Sequence, residues 1–367
     1  MKNQELSIVK EGTTKCFVFK NKSSSKGPGT KKGSPFYNPA MELNRDLSIV
    51  FVQWLLNKKN THLDFIDGLA SSGIRGIRLA NEVDGDFNIA INDWNEQAYL
   101  QIKKNIELNT LKNAIACNKN LNVLLSEEKF DYIDIDPFGS PVYYIDSAIR
   151  SIKNEGIIAC TATDTAALCG RYENACMRRY AARSFHSYLM KEMGLRILLG
   201  FLCRVAAKFD KGIKPIISYS DDHYFRTYVL IRSGKRLANE SMENYSLINI
   251  NDYIAVDKNI IVGPLWLGKI HDIYAVKEIR TLLFKKELNT KNSIWKLLSL
   301  LEEEANAPLF FFTSEYLASF KKTPIIKLEI IIEELKKNGF FVSKTQFSPI
   351  GFKTDAAIKD LIEIFEK

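Results

Sequence analysis

Hydrophobic and polar positions alternate with two different periods along the N-terminal half of the chain. Residues 6–19 alternate on either side of Glu11-Gly12, which predicts a β-hairpin. Apolar residues at helical spacing over 46–56 predict a helix. Beyond it, short apolar runs alternate with amphipathic stretches. This pattern predicts strands over 63–66, 87–91, 132–135 and 156–161, and helices over 74–83, 96–109 and 146–153.

The alternation of strands and helices is typical of a parallel sheet covered by helices on both faces. Residues 173–209 are predicted to be mostly helical, with a break at Gly194. The apolar runs 215–219 and 225–231 are predicted to pair as antiparallel strands at the end of this unit. The pattern therefore predicts an α/β sheet domain.

A polar stretch at 232–244 marks the expected end of the first domain. The remaining sequence mixes short strands with predicted helices near 294–304 and 325–338. We therefore expect an α/β domain over 1–235, followed by a smaller α+β domain over 236–367.

The composition is that of a globular protein with a small basic excess. The 367 residues carry 51 Lys and Arg against 43 Asp and Glu, a net charge of +8 that favours polyanionic partners weakly. No run of about 18 uncharged apolar residues occurs, so we expect no membrane span. The first residues lack a secretory apolar core, which favours a cytoplasmic location.

Several enzyme classes are disfavoured because their motifs are missing. The 6 cysteines include no C-x-x-C pair, so they are interpreted as reduced thiols, and no metal site is expected. Neither a G-x-S-x-G elbow nor a G-K-[ST] phosphate loop occurs. Serine hydrolases, zinc proteases and P-loop NTPases are therefore disfavoured.

A glycine-containing turn follows the first predicted strand of the sheet. Residues 67–76 read DGLASSGIRG, and such a turn lets a ligand approach the backbone at a helix N-terminus. The spacing differs from the G-x-G-x-x-G of dinucleotide sites, which favours a smaller nucleoside ligand. Asp93 ends the next predicted strand, where a carboxylate can accept hydrogen bonds from both hydroxyls of a ribose.

The segment 134–141, DIDPFGSP, follows a later strand and is therefore expected at the same sheet edge. An acid followed by proline and an aromatic residue suits an amine on a planar base. Asp136 and a backbone carbonyl accept the two N–H bonds, while Phe138 stacks on the ring. This arrangement aims the amine at an electrophilic methyl group.

These residues resemble the archaeal and eukaryotic tRNA guanosine-26 N2-dimethyltransferases, which use S-adenosylmethionine. The resemblance covers most of the chain. Its specific segments are FYNP at 36–39 with ELNRD at 42–46, the turn at 67–76, DIDPFGSP at 134–141, TDTAAL at 163–168, GLRILL at 194–199, SYSDDHY at 218–224 and GPLWLGK at 263–269. It implies a Rossmann-like class I methyltransferase sheet followed by a family-specific α+β domain, in an enzyme that acts on tRNA, and it implies no protein partner. We expect a monomer.

The resemblance also implies roles for individual residues. Arg45 and Arg75 match family arginines that contact the cofactor, and a guanidinium suits the carboxylate of its methionine part. Asp93 matches the ribose-binding acid. The pair that flanks the adenine is matched by Asn120 and Leu121.

The matching residues of the base pocket are Asp136, Phe138 and Phe36. Asp136 matches the acid that holds and deprotonates the guanine amine. Phe138 and Phe36 match aromatic residues that line the guanine pocket.

Two departures from the family pattern stand out. Asn120 replaces the usual acid, so adenine recognition is expected to be weaker or to use the side-chain oxygen. Many relatives carry two C-x-x-C pairs before the GPLWLG segment, but no cysteine occurs between Gly234 and Gly263 of this chain. The zinc site of those relatives is therefore not expected here.

Two basic segments are candidates for RNA binding. Residues 20–32 carry 5 lysines and no acid and lead directly to Phe36. Arg179, Arg183 and His186 are predicted to lie on one helix face, where a phosphate-binding row and an ordinary solvated face are alternatives.

Two other functions stay open from the residues alone. One is an amino-methyltransferase acting on another nucleic acid base, such as adenine in DNA. The other is a tRNA-binding protein without catalysis. Asp93 and Asp136 argue against the second alternative.

Overall fold

A seven-stranded sheet forms the centre of the protein. The computed structural model describes residues 6–19, 35–253 and 259–366, so the lysine-rich segment 20–32 lies outside the described residues. The sheet strands are β3 (Leu63–Asp67), β4 (Phe87–Asn92), β5 (Ala114–Cys117), β6 (Phe130–Ile135), β7 (Ile152–Ala162), β8 (Lys211–Ser220) and β9 (Phe225–Ser233). A separate hairpin of β1 (Leu6–Glu11) and β2 (Thr14–Phe19) precedes them, as predicted.

The sheet has the order β5-β4-β3-β6-β7-β9-β8. Strands β3 to β7 are parallel, whereas β9 runs antiparallel to both β7 and β8. The chain builds outward from β3 to β5 and then crosses to β6, so the strand order reverses between β3 and β6. The carboxyl ends of strands at such a reversal form a crevice in which open α/β sheets bind ligands.

Helices cover this sheet and connect its strands. They are α1 (Glu42–Lys59), α2 (Ile74–Glu82), α3 (Glu96–Leu108), α4 (Leu121–Glu127), α5 (Val142–Ser151), α6 (Thr165–Leu168), α7 (Glu173–Tyr180) and α8 (Met190–Ala207). A short 3-10 helix, Pro39–Met41, leads into α1. Helix α3 shows the local chemistry clearly, because Asn95 caps it by accepting hydrogen bonds from the N–H groups of Gln97 and Ala98.

The C-terminal part contains two small sheets and further helices. Its elements are α9 (Lys235–Met242), β10 (Tyr245–Asn249), the 3-10 helix Ile250–Asp252, β11 (Ile261–Trp266), α10 (Ile273–Leu283), α11 (Lys291–Glu304), β12 (Phe312–Thr313), α12 (Ser314–Lys321), α13 (Leu328–Lys337), β13 (Val342–Thr345), β14 (Ser348–Thr354) and α14 (Ile358–Glu366). None of the helices that the structure describes is long and apolar enough to cross a membrane.

Buried residues from both sides of position 235 share the two larger cores. Val262 and Trp266 belong to the core on one side of the sheet, and Ile279 and Leu298 to the core on the other. A third cluster, which includes Leu317, lies entirely within the C-terminal part. The domain boundary at 235 stays a prediction.

Two predictions about elements were wrong. The break in 173–209 does not lie at Gly194, which is inside α8, but between Tyr180 and Met190. A Cβ at position 194 would lie 2.9 Å from the Phe225 ring, so this glycine allows close packing rather than a break. The helix predicted over 146–153 gives way to β7 at Ile152.

Candidate active site

Two aspartates at the carboxyl end of β6 lie in different surroundings. Asp134 is fully buried, and both of its oxygens accept hydrogen bonds from Arg226, at 2.9 and 2.6 Å. Burial opposes ionisation of Asp134, but the guanidiniums of Arg226 and Arg75 hold the pKa of this carboxyl below its usual range. Asp134 is therefore a structural anion rather than a group open to a substrate.

Asp136 lies just beyond the strand, and its side chain is 21% exposed. Arg75 forms an ion pair with its Oδ2. The other terminal nitrogen of Arg75 donates to Asn44 Oδ1 at 2.7 Å and to Ser48 Oγ at 2.8 Å. The carboxylate of Asp136 is thus held in place on one side while the side chain stays accessible to a ligand.

The ring of Phe138, two residues after Asp136 in the chain, contacts the ring of Phe36. The ring centroids of Phe36 and Phe138 are 5.1 Å apart in an edge-to-face arrangement. Phe138 is 47% exposed, so one ring offers open surface to a planar ligand. Ser71 fixes Phe36 because its Oγ accepts from the Phe36 N–H at 2.7 Å and donates to the Phe36 carbonyl at 3.1 Å.

The glycine turn after β3 lies against the start of α4. The Gly68 N–H donates to the Asp134 carbonyl at 3.0 Å. A Cβ at Gly68 would lie 2.8 Å from a methyl of Leu121, which is buried. Gly73 starts α2 with φ of 78°, a backbone conformation that glycine adopts at low cost. The turn therefore brings backbone close to the neighbouring strand and to Leu121.

Asp67 ends β3 beneath this turn. Its Oδ2 accepts a hydrogen bond from the Gly76 N–H at 2.9 Å. Burial, reinforced by the negative charge of Asp134, raises the pKa of Asp67 to about 7.

Asp93 links the turn to the end of β4. One oxygen accepts from the Ser71 N–H at 2.8 Å, and the other accepts from the Asn95 N–H at 2.9 Å. Burial raises the pKa of this carboxyl, although both backbone hydrogen bonds favour the charged form. The carboxylate is therefore oriented beside the crevice, as a group that accepts hydrogen bonds from ligand hydroxyls must be.

The resemblance predicts that Asn120 replaces an acid of the family. The side chain of Asn120 is exposed, and its Oδ1 caps α4 by accepting from the Asn122 N–H at 3.0 Å. Asparagine and aspartate are equally good N-caps, so the replacement keeps the local structure and removes one negative charge.

Arg45 contacts the N-terminal hairpin rather than the aspartates of β6. It forms a buried ion pair with Glu11, with Nε–Oε2 and Nη2–Oε1 distances of 2.8 and 2.5 Å. It also donates to the Asn38 carbonyl at 3.0 Å. Burial opposes ionisation of Glu11, but Arg45 and Arg78 hold the pKa of this carboxyl below its usual value. The hairpin thus positions Arg45 near Asn38 and Tyr37.

The residues predicted from the sequence fall into one crevice region with two exceptions. Arg45 is connected to this region by its hydrogen bond to the carbonyl of Asn38. The prediction that Arg179, Arg183 and His186 lie on one helix face was wrong. Helix α7 ends at Tyr180, and Ala181 adopts a left-handed conformation with φ of 52°, so Arg183 and His186 lie beyond the helix.

Sequence reasoning missed the buried polar partners of the site, which are Asn44, Ser48, Asp134 and Arg226. Arg226 and Asp134 left a signal in the sequence, because each is a charged residue inside a mostly apolar strand. Such a charge must find a buried partner, but the pattern does not say which one.

The crevice fits an amino-acid-linked nucleoside. Asn44 Nδ2 is buried and finds no hydrogen-bond partner among the described residues, and it adjoins the guanidinium of Arg75. Such donors suit a carboxylate. The close approach at Gly68, the buried Leu121 and the oriented Asp93 suit the nucleoside part.

The sequence profile of a family described as N2,N2-dimethylguanosine tRNA methyltransferase matches residues 19–366. The chain belongs to this family. The family prediction is thereby confirmed.

Relatives match this N2,N2-dimethylguanosine tRNA methyltransferase family member over its full length. The tRNA (guanine(26)-N(2))-dimethyltransferase of Methanobrevibacter smithii is 35% identical and aligns with 100% of this chain and 98% of its own. That of Pyrococcus furiosus is 38% identical, with 100% of both chains covered. The structure of Trm1 from Pyrococcus horikoshii with S-adenosyl-L-methionine superposes with a TM-score of 0.88 at 34% identity, covering 98% of this chain and 99% of its own. This similarity confirms the predicted Rossmann-like class I methyltransferase fold.

Proposed function

We propose that this protein transfers methyl groups from S-adenosylmethionine to the exocyclic N2 amine of guanosine-26 in tRNA. The observation that carries the proposal is the accessible carboxylate of Asp136 at the strand-order reversal, beside the Phe36–Phe138 pair, in a chain of this family. Membership in this family indicates the substrate. The site contains the carboxylate and the aromatic rings that methylation of a guanine amine requires.

The residues that would hold S-adenosylmethionine surround the glycine turn. Arg75 and Asn44 suit its carboxylate, Asp93 suits its ribose, and Leu121 with Asn120 suits its adenine. Arg45 is the second arginine proposed for the carboxylate, although it contacts Glu11 in this structure. When bound, S-adenosylmethionine supplies an electrophilic methyl group on a positively charged sulfur.

The chain itself orients the guanine amine. Phe138 and Phe36 provide aromatic surface for the base, and Asp136 accepts a hydrogen bond from the amine. Methylation would make the amine more acidic, and Asp136 would take up the proton that it then loses. Arg75 holds the Asp136 carboxylate in position for this transfer.

Mass analysis of the nucleosides from tRNA tests the proposal. Unmodified transcript incubated with the protein and S-adenosylmethionine should contain methylated guanosine at position 26, and a transcript with adenosine at this position should contain none. The ratio of monomethylated to dimethylated guanosine also shows how far the methylation proceeds. Absence of methylated guanosine from the first transcript would refute the proposal.

Asp136→Asn should lower the rate at least ten- to a hundredfold, because a hydrogen bond to a charged group is worth about 1.5–3 kcal/mol. Asp131→Asn is the matched control, since Asp131 lies at the other end of the same strand, where it pairs with Lys153 at 2.8 Å. Equal rates for the two variants would refute the role of Asp136.

A monomeric state and a cytoplasmic location complete the proposal. Light scattering on the purified protein tests the first.

A further inference from the structure

Helix α7 is tied directly to the segment that carries Phe138. The Ser140 hydroxyl donates to the Tyr180 hydroxyl at 2.9 Å in a buried contact. Tyr180 in turn donates to Asp164 Oδ1 at 2.7 Å. Since Ser140 lies two residues after Phe138, the surface around α7 borders the proposed base pocket.

This surface exposes three arginines, Arg171, Arg178 and Arg183. No hydrogen bond or ion pair joins their guanidinium groups to any residue that the structure describes. Arg179, between them, behaves differently because it donates to Asp164 at 3.1 Å. Exposed guanidiniums without a carboxylate partner are suited to bidentate contacts with phosphate.

The backbone that carries these arginines is held by defined contacts. The Arg171 N–H donates to the Ala166 carbonyl at 3.0 Å. Arg183 and Gly263 exchange two backbone hydrogen bonds, at 2.7 and 2.8 Å, which fix the segment after α7 to the C-terminal part of the chain. A surface that is already ordered loses little further backbone entropy when it binds a partner.

An exposed aromatic side chain lies among the arginines. Tyr172, which precedes α7, is 60% exposed, and Met177 within α7 is 43% exposed. The exposed Glu173 adds one negative charge to this surface, so the three arginines leave it with a positive net charge. Basic groups interleaved with an open aromatic ring are typical of surfaces that bind RNA, where phosphates contact the arginines and an unpaired base stacks on the ring.

We propose that Arg171, Tyr172, Arg178 and Arg183, here called the α7 surface, bind the tRNA backbone next to the target guanosine. The proposal rests on the proposed function for the identity of the RNA. It assigns the contact to one surface, which holds the tRNA while the base occupies the pocket beside Phe138.

Binding of a tRNA transcript, measured without S-adenosylmethionine over a range of salt concentrations, tests the α7 surface. The triple variant Arg171→Gln, Arg178→Gln, Arg183→Gln should bind more weakly. Its slope of log affinity against log salt should be smaller by about 0.7–0.9 for each phosphate that the variant no longer binds. Arg150→Gln is the control, because Arg150 is an exposed arginine in the last turn of α5. It should bind like the wild-type protein.

Tyr172→Ala gives a second and independent readout. Loss of base stacking should weaken tRNA binding by about fivefold or more without changing the salt slope, because the tyrosine carries no charge. Affinity for S-adenosylmethionine should stay the same in all of these variants. A triple variant with wild-type affinity and salt slope would overturn the proposal.

The two proposals fail separately. If the wild-type protein binds tRNA but forms no methylated guanosine, the proposed function is wrong. The comparison of tRNA binding by the wild-type protein and the triple variant still tests whether the α7 surface binds tRNA. If methylation proceeds and the triple variant methylates with an unchanged KM for tRNA, the α7 surface is wrong and the function stands.

Discussion

The side-chain oxygens of Ser140 and Tyr180 lie 2.9 Å apart in a buried contact between two segments that are 40 residues apart in the chain. This contact, together with the hydrogen bond from Tyr180 to Asp164, fixes the loop after Asp136 against helix α7. The loop is held from a second side, where the Gly139 N–H donates to Thr163 Oγ1 at 2.7 Å. The aromatic side of the base pocket therefore depends on tertiary hydrogen bonds.

Replacing Tyr180 by phenylalanine tests this dependence. Tyr180→Phe leaves the Ser140 hydroxyl without its acceptor in a buried place, which should cost about 1–3 kcal/mol of unfolding free energy. We also expect a lower rate of methyl transfer at saturating substrates, with an unchanged dissociation constant for S-adenosylmethionine. Chemical denaturation and single-turnover assays measure both. Tyr143→Phe, at an exposed tyrosine of α5, should change neither.

Asp93→Ala should weaken the binding of S-adenosylmethionine by roughly ten- to a hundredfold, because the variant has no charged acceptor for the ribose hydroxyls. Calorimetric titration measures the dissociation constant, and the rate at saturating S-adenosylmethionine should fall less than the affinity. Asp86→Ala is the control, since Asp86 is exposed and precedes the opposite end of β4. Equal affinities of the Asp93 variant and the wild-type protein would remove Asp93 from the site.

Asp67 should make the stability depend on pH. Burial raises its pKa in the folded state from the ordinary 3.8 to about 7. Between these values the folded chain holds a proton that the unfolded chain has released, so the contribution of Asp67 to the free energy of unfolding falls as the pH rises. The fall is at most about 1.4 kcal/mol per pH unit.

Asp67→Asn does not titrate and should therefore gain stability relative to the wild-type protein as the pH rises from 4 to 7. Urea denaturation of both proteins across this range measures the difference. Parallel curves of unfolding free energy against pH would show that Asp67 has an ordinary pKa.

Gly68→Ala should be destabilising and should weaken the binding of S-adenosylmethionine. The new methyl group would lie 2.8 Å from Leu121 and 3.1 Å from the Asp134 carbonyl, and crowding of this kind costs about 1–3 kcal/mol. Adding Leu121→Ala removes one of the two obstacles, so the double variant should lose less stability than the sum of the single ones. Strict additivity in thermal or urea unfolding would indicate that the turn relaxes without touching Leu121.

The sequence by itself determined the order of the longer elements up to β7, which are β1 to β4, β6 and β7 with helices α1, α2, α3 and α5, and the place of Asp93 and Asp136 at strand ends. Hydrophobic periodicity and turn residues are local signals, and they act over a few residues. The family resemblance added predicted roles for Phe36, Arg45 and Asn120, which no local pattern specifies. Short elements were missed, such as β5 and α4, because 4 and 7 residues carry too little periodicity.

Only the tertiary structure decided how the buried charges are paired. Arg226 and Asp134 are 92 residues apart, and Arg45 and Glu11 are 34 apart, yet each pair is buried and hydrogen-bonded. A charge buried at such a place requires a partner, but sequence periodicity does not show which distant residue the fold brings to it. Gly194 is a similar case, because its close approach to the ring of Phe225, which belongs to another element, leaves no local signal in the sequence.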